Sequence, residues 1–465
     1  MSALGSFNTA VSGLNAAQRA IDVTSQNIAN ANTPGYSRQQ VQLSSVGTTT
    51  AAHVYTGGNA AILGGVQIDD VVRVRDTFLE TARVNAGATK EALDIRASTL
   101  AGAEGLLNEP GDDGLQAGLD EFFSAWHGLA SNPSSEPFAG QVMAYGNNLA
   151  AQLRSTSTGV EERWNNARGE LQNTVNTLNQ ATSDLAVVNQ KVLESTVAER
   201  PVNELLDRRD TLIRTIGELA GGRAVIDKNN VASVMVNGIT VVAGNRALPV
   251  TIAGATALSG ATADPPKLMM GTIAVPVSAG KTAGLLASLG SDLPSMSTQL
   301  DGVAVALRDA VNAVHTGGYT LSGATGLNFF SGTGAQDLVV VPASGADLAV
   351  ANAPGVVDGT NAQEIADLAL DDKAAAALGG TPGPSSLVRS LAADVGTKLQ
   401  GLQRAADVQT TVVATADEAV NSDSGVSIDE EMTHLLMYQR SYQASARVIS
   451  AVDEMLDTLI NRMAV

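Results

Sequence analysis

Cysteine is missing from all 465 residues, which excludes disulfides, thiolate zinc sites and cysteine nucleophiles and leaves packing to hold the fold. Aromatic residues are scarce, at 3%, so deep anchors are few and no large ligand pocket is expected. Basic residues are in deficit, 28 Lys and Arg against 47 Asp and Glu for a net charge of −19. That balance argues against nucleic acid or an anionic membrane as partner, since both require a basic footprint. Apolar runs fall short of the ~18 residues of a membrane span, and the opening MSALGSFNTAVSGL has no basic stretch before an apolar core, so no Sec signal is expected. The four histidines, His53, His127, His315 and His434, lack any metal-ligand spacing and read as surface or packing residues.

What is present is length and helical rhythm. A single core rarely grows far past about 250 to 300 residues, so the chain divides into roughly two to four domains. Near its start Phe7, Leu14, Ile21 and Ile28 recur every seven residues, an apolar seam that needs a partner. The helix ends near Asn32, in NIANANTPGY: Asn30 and Asn32 weaken it, Thr33 is pushed out of helical geometry by Pro34, and Pro34-Gly35 suits the centre of a type II turn before Tyr36. The other end repeats the pattern. Ser427 and Glu430 form a predicted capping box, and Leu435, Tyr442, Ile449, Leu456 and Met463 make a second seven-residue row interleaved with Tyr438, Ser445 and Val452. Either helix alone suits an ordinary core; two seams at opposite chain ends favour a terminal coiled coil built for assembly.

Between them, the stretch from Tyr36 to Arg75 reads as extended hairpin-like chain. Helix returns at Asp76, breaks at NEPGDDG, and resumes over Leu115–Leu129. Trp164, Leu171, Leu178, Leu185 and Val192 mark a long coiled-coil-like helix, and a further one follows Pro201 with Asn203 as expected N-cap and Gly221-Gly222 as terminator. The expected class is mainly α with β insertions, in several domains: residues 1–60 with 421–465 as a terminal α unit; 61–222, 279–320 and 385–420 as a helical bundle; 223–278 as a small β insertion; and 321–384 as a Gly-rich mixed segment.

Candidate chemistry is thin. AGKT at Ala279–Thr282 imitates the end of a phosphate loop, but the position of its first glycine holds Val275 and Pro276 follows. SGTGAQD at Ser331–Asp337 lacks the third glycine of a dinucleotide fingerprint. Asp429, Glu430 and Glu431 are acids expected in a first helical turn. No catalytic, cofactor-binding or metal residue is therefore expected, and the chain reads as a non-enzyme.

SQNIANANTPGYSRQQVQL resembles the N-terminal signature of bacterial flagellar axial proteins, the rod, hook and hook-associated group, and SGVSIDEEMTHLLMYQRSYQASARVISAVDEMLDTLINRM resembles the C-terminal end of the same group. Within it, GGVQIDDVVRVRDTFLETARVN, EPGDDGLQAGLDEFFSAWHGLASNP, PVNELLDRRDTLIRTIGELAG and LSGATGLNFFSG are similar to the hook-associated proteins of the hook-filament junction. The resemblance implies an inner α domain made by the two ends, with Thr33–Tyr36 as a corner turning the chain outward, and a structural role in joining hook to filament. It implies copies of the chain itself, the distal hook protein, hook-associated protein 3 and an export chaperone as partners. It also implies export through the flagellar type III apparatus to the cell exterior without a cleaved signal, and terminal helices that are mobile until neighbours order them. The alternatives are a self-polymerising hook or rod subunit, a secreted adhesin and, third, a nucleotide enzyme using Lys281.

Overall fold

The computed structural model describes residues 3–46, 64–369 and 382–458. Helix α1, Ala3–Asn30, is followed by the antiparallel pair β1, Gln39–Ser45, and β2, Val66–Arg73. Helix α2, Thr77–Glu104, starts at an N-cap Asp76 whose carboxylate accepts from the amides of Phe78 and Leu79, which satisfies two of the donors a helix start leaves orphaned. After α3, Leu115–Ser131, comes α4, Glu136–Val197, whose 62 residues extend about 93 Å.

The seven-residue row of α4 is its core face: Trp164, Leu171, Leu178, Leu185 and Val192 are each at most 1% exposed. Trp164 also donates its indole N–H to the Leu289 carbonyl at 2.9 Å. Helix α5, Asn203–Ala220, packs back on α4 and ends at Gly221, whose φ of +68° is the left-handed geometry glycine adopts without strain. The N-cap, however, is Val202. Asn203 is the first helical residue, and its side-chain amide is drawn away from the helix to the Val71 carbonyl at 2.8 Å and to Gln39 Oε1 at 3.1 Å.

The strands then run β3, Gly222–Ile226, β4, Ala232–Val236, β5, Ile239–Ala243, and β6, Arg246–Ala247, in one four-stranded antiparallel sheet, and β7, Thr251–Ala253, β8, Lys267–Met270, and β9, Ile273–Val275, in a three-stranded one. Helix α6, Lys281–Ala287, passes through a π-turn at Ser288–Asp292 into α7, Leu293–His315. Two-residue strands β10, Phe330–Ser331, and β11, Val339–Val340, and helix α8, Thr360–Asp367, cover the far end of α3 and α4. Helix α9, Pro384–Ser424, returns along α2, and α10, Ile428–Asp457, pairs with α1. The body core is continuous and centred on Trp126, Trp164, Phe122, Phe329 and Phe330. No helix among the described residues is long and apolar enough to cross a membrane.

Candidate functional site

The corner forms from its own sequence. Thr33 donates its amide to the Asn30 carbonyl at 2.9 Å and its hydroxyl to Asn30 Oδ1 at 3.2 Å, closing the end of α1. Tyr36 then donates its amide to the Thr33 carbonyl at 3.1 Å, so Pro34 and Gly35 occupy the centre of the turn with Gly35 at φ +83°, the sign a type II turn requires. Gly35 is required a second time, because a Cβ there would stand 2.7 Å from Thr211 Oγ1 of α5. Asn32 and Pro34 are exposed.

Behind the turn lies a buried polar hub. The Asn27 side chain, 1% exposed, accepts through Oδ1 from the Tyr36 hydroxyl at 2.8 Å and the Gln39 amide at 3.0 Å. Through Nδ2 it donates to the Gln39 carbonyl at 2.9 Å and to Glu431 Oε2 at 3.0 Å. Glu431, 2% exposed, accepts on its other oxygen from Arg38 Nε at 2.8 Å. The first helix, the corner, β1 and the last helix thus meet on one asparagine, and Asn203 extends the network to α5 through Gln39. Burial, then the carboxylates of Asp207 and Glu431, push the Tyr36 phenol up to about 12, which keeps it the donor.

A second layer is ionic. Arg73 bridges Asp207 and Asp210 at 2.6 and 2.8 Å, Arg75 joins Glu80 and Asp210, and Arg209 pairs with Asp210. Burial lowers the Arg209 guanidinium to about 9 and that of Arg75 to about 10, both still charged at neutral pH. Above this layer sits a cavity of about 270 Å³, bounded by the corner, Arg83, Thr211, Arg214 and the end of α9.

The terminal pair has an unequal seam. The buried face of α1 is made of small residues, Ala10, Ala16, Ala17 and Ala20, with Val23, Thr24 and Asn27, whereas Phe7, Leu14, Ile21 and Ile28 stand half-buried beside it. On α10, Leu435, Ile449 and Leu456 are half-buried, Val452 is buried, and Tyr442 is 37% exposed; Met463 lies outside the described residues. The two helices come close at Gly13, where a Cβ would stand 3.2 Å from Ser445 Oγ. Ser427 caps α10 by accepting from the Glu430 amide at 3.5 Å, while the Glu430 carboxylate turns to Arg38 at 3.7 Å. Met432, Leu436, Met437, Val448 and Met455 of α10 are 44 to 53% exposed.

The phosphate-loop imitation is occupied otherwise: Lys281 pairs with Glu170 at 2.8 Å and the Gly280 amide donates to the Ala88 carbonyl. Among the described residues no group of three His, Asp or Glu gathers at metal-ligand distance. The sequence assigns no site role to Asn27, Arg38 or Gln39, and it marks Glu431 only as a first-turn acid. A polar asparagine inside the apolar rhythm of α1 was the available signal for the first, and the third acid in the opening turn of α10 for the last.

Residues 100–330 match the family model described as flagellar hook-associated protein FlgK helical domain. Residues 418–463 match that of the flagellar basal body rod FlgEFG protein C-terminal region, and 7–36 that of the flagella basal body rod protein. Flagellar hook-associated protein 1 of Bacillus subtilis is 28% identical, covering 99% of this chain and 98% of its own. The protein of the same name from Salmonella typhimurium is 26% identical over 98% and 99%. Among solved structures, the flagellar hook junction protein FlgK from Burkholderia pseudomallei matches the fold with a TM-score of 0.64 at 15% identity, covering 74% of this chain and 99% of that one.

Proposed function

We infer, from a chain homologous to flagellar hook-associated protein 1 along nearly its whole length, that it is a structural component of the bacterial flagellum, joining the hook to the filament as a junction adaptor. The observation that carries the reading beyond similarity is the terminal pair. Helices α1 and α10 bring the two chain ends together, are tied to the body through Asn27 and Glu431, and leave a row of large apolar side chains of α10 in solvent. Exposed apolar surface of that extent on a helix pair is what subunits bury when they assemble.

On this reading the chain is not an enzyme and needs no cofactor. It adds a layer of its own copies on the distal hook protein and offers a surface to hook-associated protein 3. It reaches the cell exterior through the flagellar type III apparatus, with a chaperone covering the ends, and the absence of cysteine from the chain keeps it free of disulfides during passage. The half-buried residues Leu14, Ile21, Ile28, Leu435, Ile449 and Leu456 supply the assembly seam, and neighbouring copies complete their burial.

The test adds purified protein to isolated hooks and follows the distal ends by electron microscopy, with hook-associated protein 3 and flagellin supplied afterwards. A short terminal layer that supports filament growth is expected. Long tubes of the protein alone would make it a self-polymerising hook or rod subunit, and bare hooks would remove the flagellar reading.

A further inference from the structure

A groove of about 800 Å³ opens between the start of α2, the face of α5 and strand β3. Its apolar lining includes Leu206 and Ile213 on the floor and Ile226 and Phe78 at the rim, the last two 39 and 78% exposed. Strand β3 is an edge, paired on one side with β4. Four arginines line the groove: Arg73, Arg75 and Arg209 are paired with Glu80, Asp207 and Asp210, whereas Arg223, exposed on β3, makes no ion pair among the described residues. In a chain of net charge −19 an exposed arginine left without an acid at an apolar rim is open to a carboxylate from outside, and Arg75 keeps a buried Nε without a hydrogen-bond partner. The groove therefore suits a helix with an apolar row and an acid on its flank.

The opening of α10 has those features. Ile428, Met432 and Leu436, spaced by four and 44 to 53% exposed, form one row. Asp429 flanks it, and Met432 lies about 100° round the helix from the inward-facing Glu431. Groove and row also stand at the same level of the molecule: Gln39, bonded to the Asn27 that holds Glu431, is the ladder partner of Arg73 in the groove wall. Copies arranged round an axis meet at matching levels through a heterologous contact, in which unlike patches join and the chain of contacts continues from copy to copy.

We propose that in the assembled layer a second copy of this chain seats the first turns of α10 in this groove, with Ile428, Met432 and Leu436 against Phe78 and Ile226 and with Asp429 toward the arginines. The inference rests on the layer-forming role proposed above and names the surfaces that build it.

The cysteine-free chain permits a direct test. Full-length Phe78→Cys and Met432→Cys proteins are mixed on isolated hooks and oxidised, beside a control mixture of Met432→Cys with Val341→Cys, a site 42% exposed on another part of the body. A disulfide-linked dimer formed several-fold above the control is expected. Arg223→Asp and Asp429→Arg should each lower incorporation, and mixing the two variants should restore it. A layer that forms with no linked dimer above the control, or charge variants without mutual rescue, overturns the docking and leaves the junction role standing. Hooks that acquire no layer from the unaltered protein overturn both.

Discussion

Asn27 in the first helix and Glu431 in the last share a hydrogen bond of 3.0 Å, although 404 residues of chain separate them. Both are buried, and both hold further partners from the corner, so the ends of the chain and the turn that leads into the body are positioned by one set of bonds. The terminal pair is thereby aimed by a few polar contacts instead of by a broad apolar interface.

Replacing Asn27 with Ala leaves the Tyr36 hydroxyl, both backbone groups of Gln39 and one oxygen of Glu431 without this partner. Each buried group left unpaired costs about 1–3 kcal/mol. The expected outcome is a terminal pair released from the body at lower urea concentration, with the core around Trp126 and Trp164 unfolding as before. Hydrogen exchange of α1 and α10 reads the effect, and unchanged protection there would count against the hub.

Gly13→Ala should be tolerated, because the Ser445 hydroxyl 3.2 Å from the new Cβ can shift by a few tenths of an ångström. Gly13→Leu should force α1 and α10 apart, since a branched side chain has no space between helices that close. Limited proteolysis provides the measurement: faster loss of both ends in the leucine variant than in the alanine variant is expected, and equal rates in the two would show that the contact at Gly13 does not hold the pair together.

His315 makes the far end of the body sensitive to acid. It is fully buried, its Nε2 accepts from the Ala349 amide at 3.0 Å and its Nδ1 donates to the Leu327 carbonyl, a pattern only the neutral ring satisfies. Burial lowers its affinity for a proton below the ordinary 6.5. The unfolded chain therefore binds a proton that the folded one refuses, so this stability is present above about pH 6.5 and falls as the pH drops below it. Urea midpoints measured between pH 7.5 and 5 should decline more steeply in the unaltered protein than in His315→Gln, and parallel curves would contradict the assignment.

Lys281 should prove dispensable for nucleotide, because its partner is Glu170 and its glycine amide is already committed to Ala88. Calorimetry with MgATP is expected to register no binding. Lys281→Ala should change stability by less than about 1 kcal/mol, as the pair is part-exposed and screened by solvent. Saturable heat abolished by the substitution would restore the enzyme reading.

The amino-acid sequence by itself determined what depends on residues a few positions apart. The Thr33–Tyr36 turn, the left-handed stop at Gly221, the cap at Ser427 and the buried row of α4 were all legible, because turn chemistry, capping and helical periodicity act within one or two turns of chain. The flagellar signature was legible for the same reason, as it lies in continuous stretches at the two ends. Tertiary structure decided the rest. It drew Asn203 from the N-cap role to Gln39 and Val71, made Gly35 answer to Thr211, and joined Asn27 to Glu431. It also placed the alanines of α1 inside and the larger seam residues beside them. Periodicity marks which side chains are apolar, whereas the distance between two helix axes selects which of them fit between the backbones, and that distance is set by elements far apart in the chain.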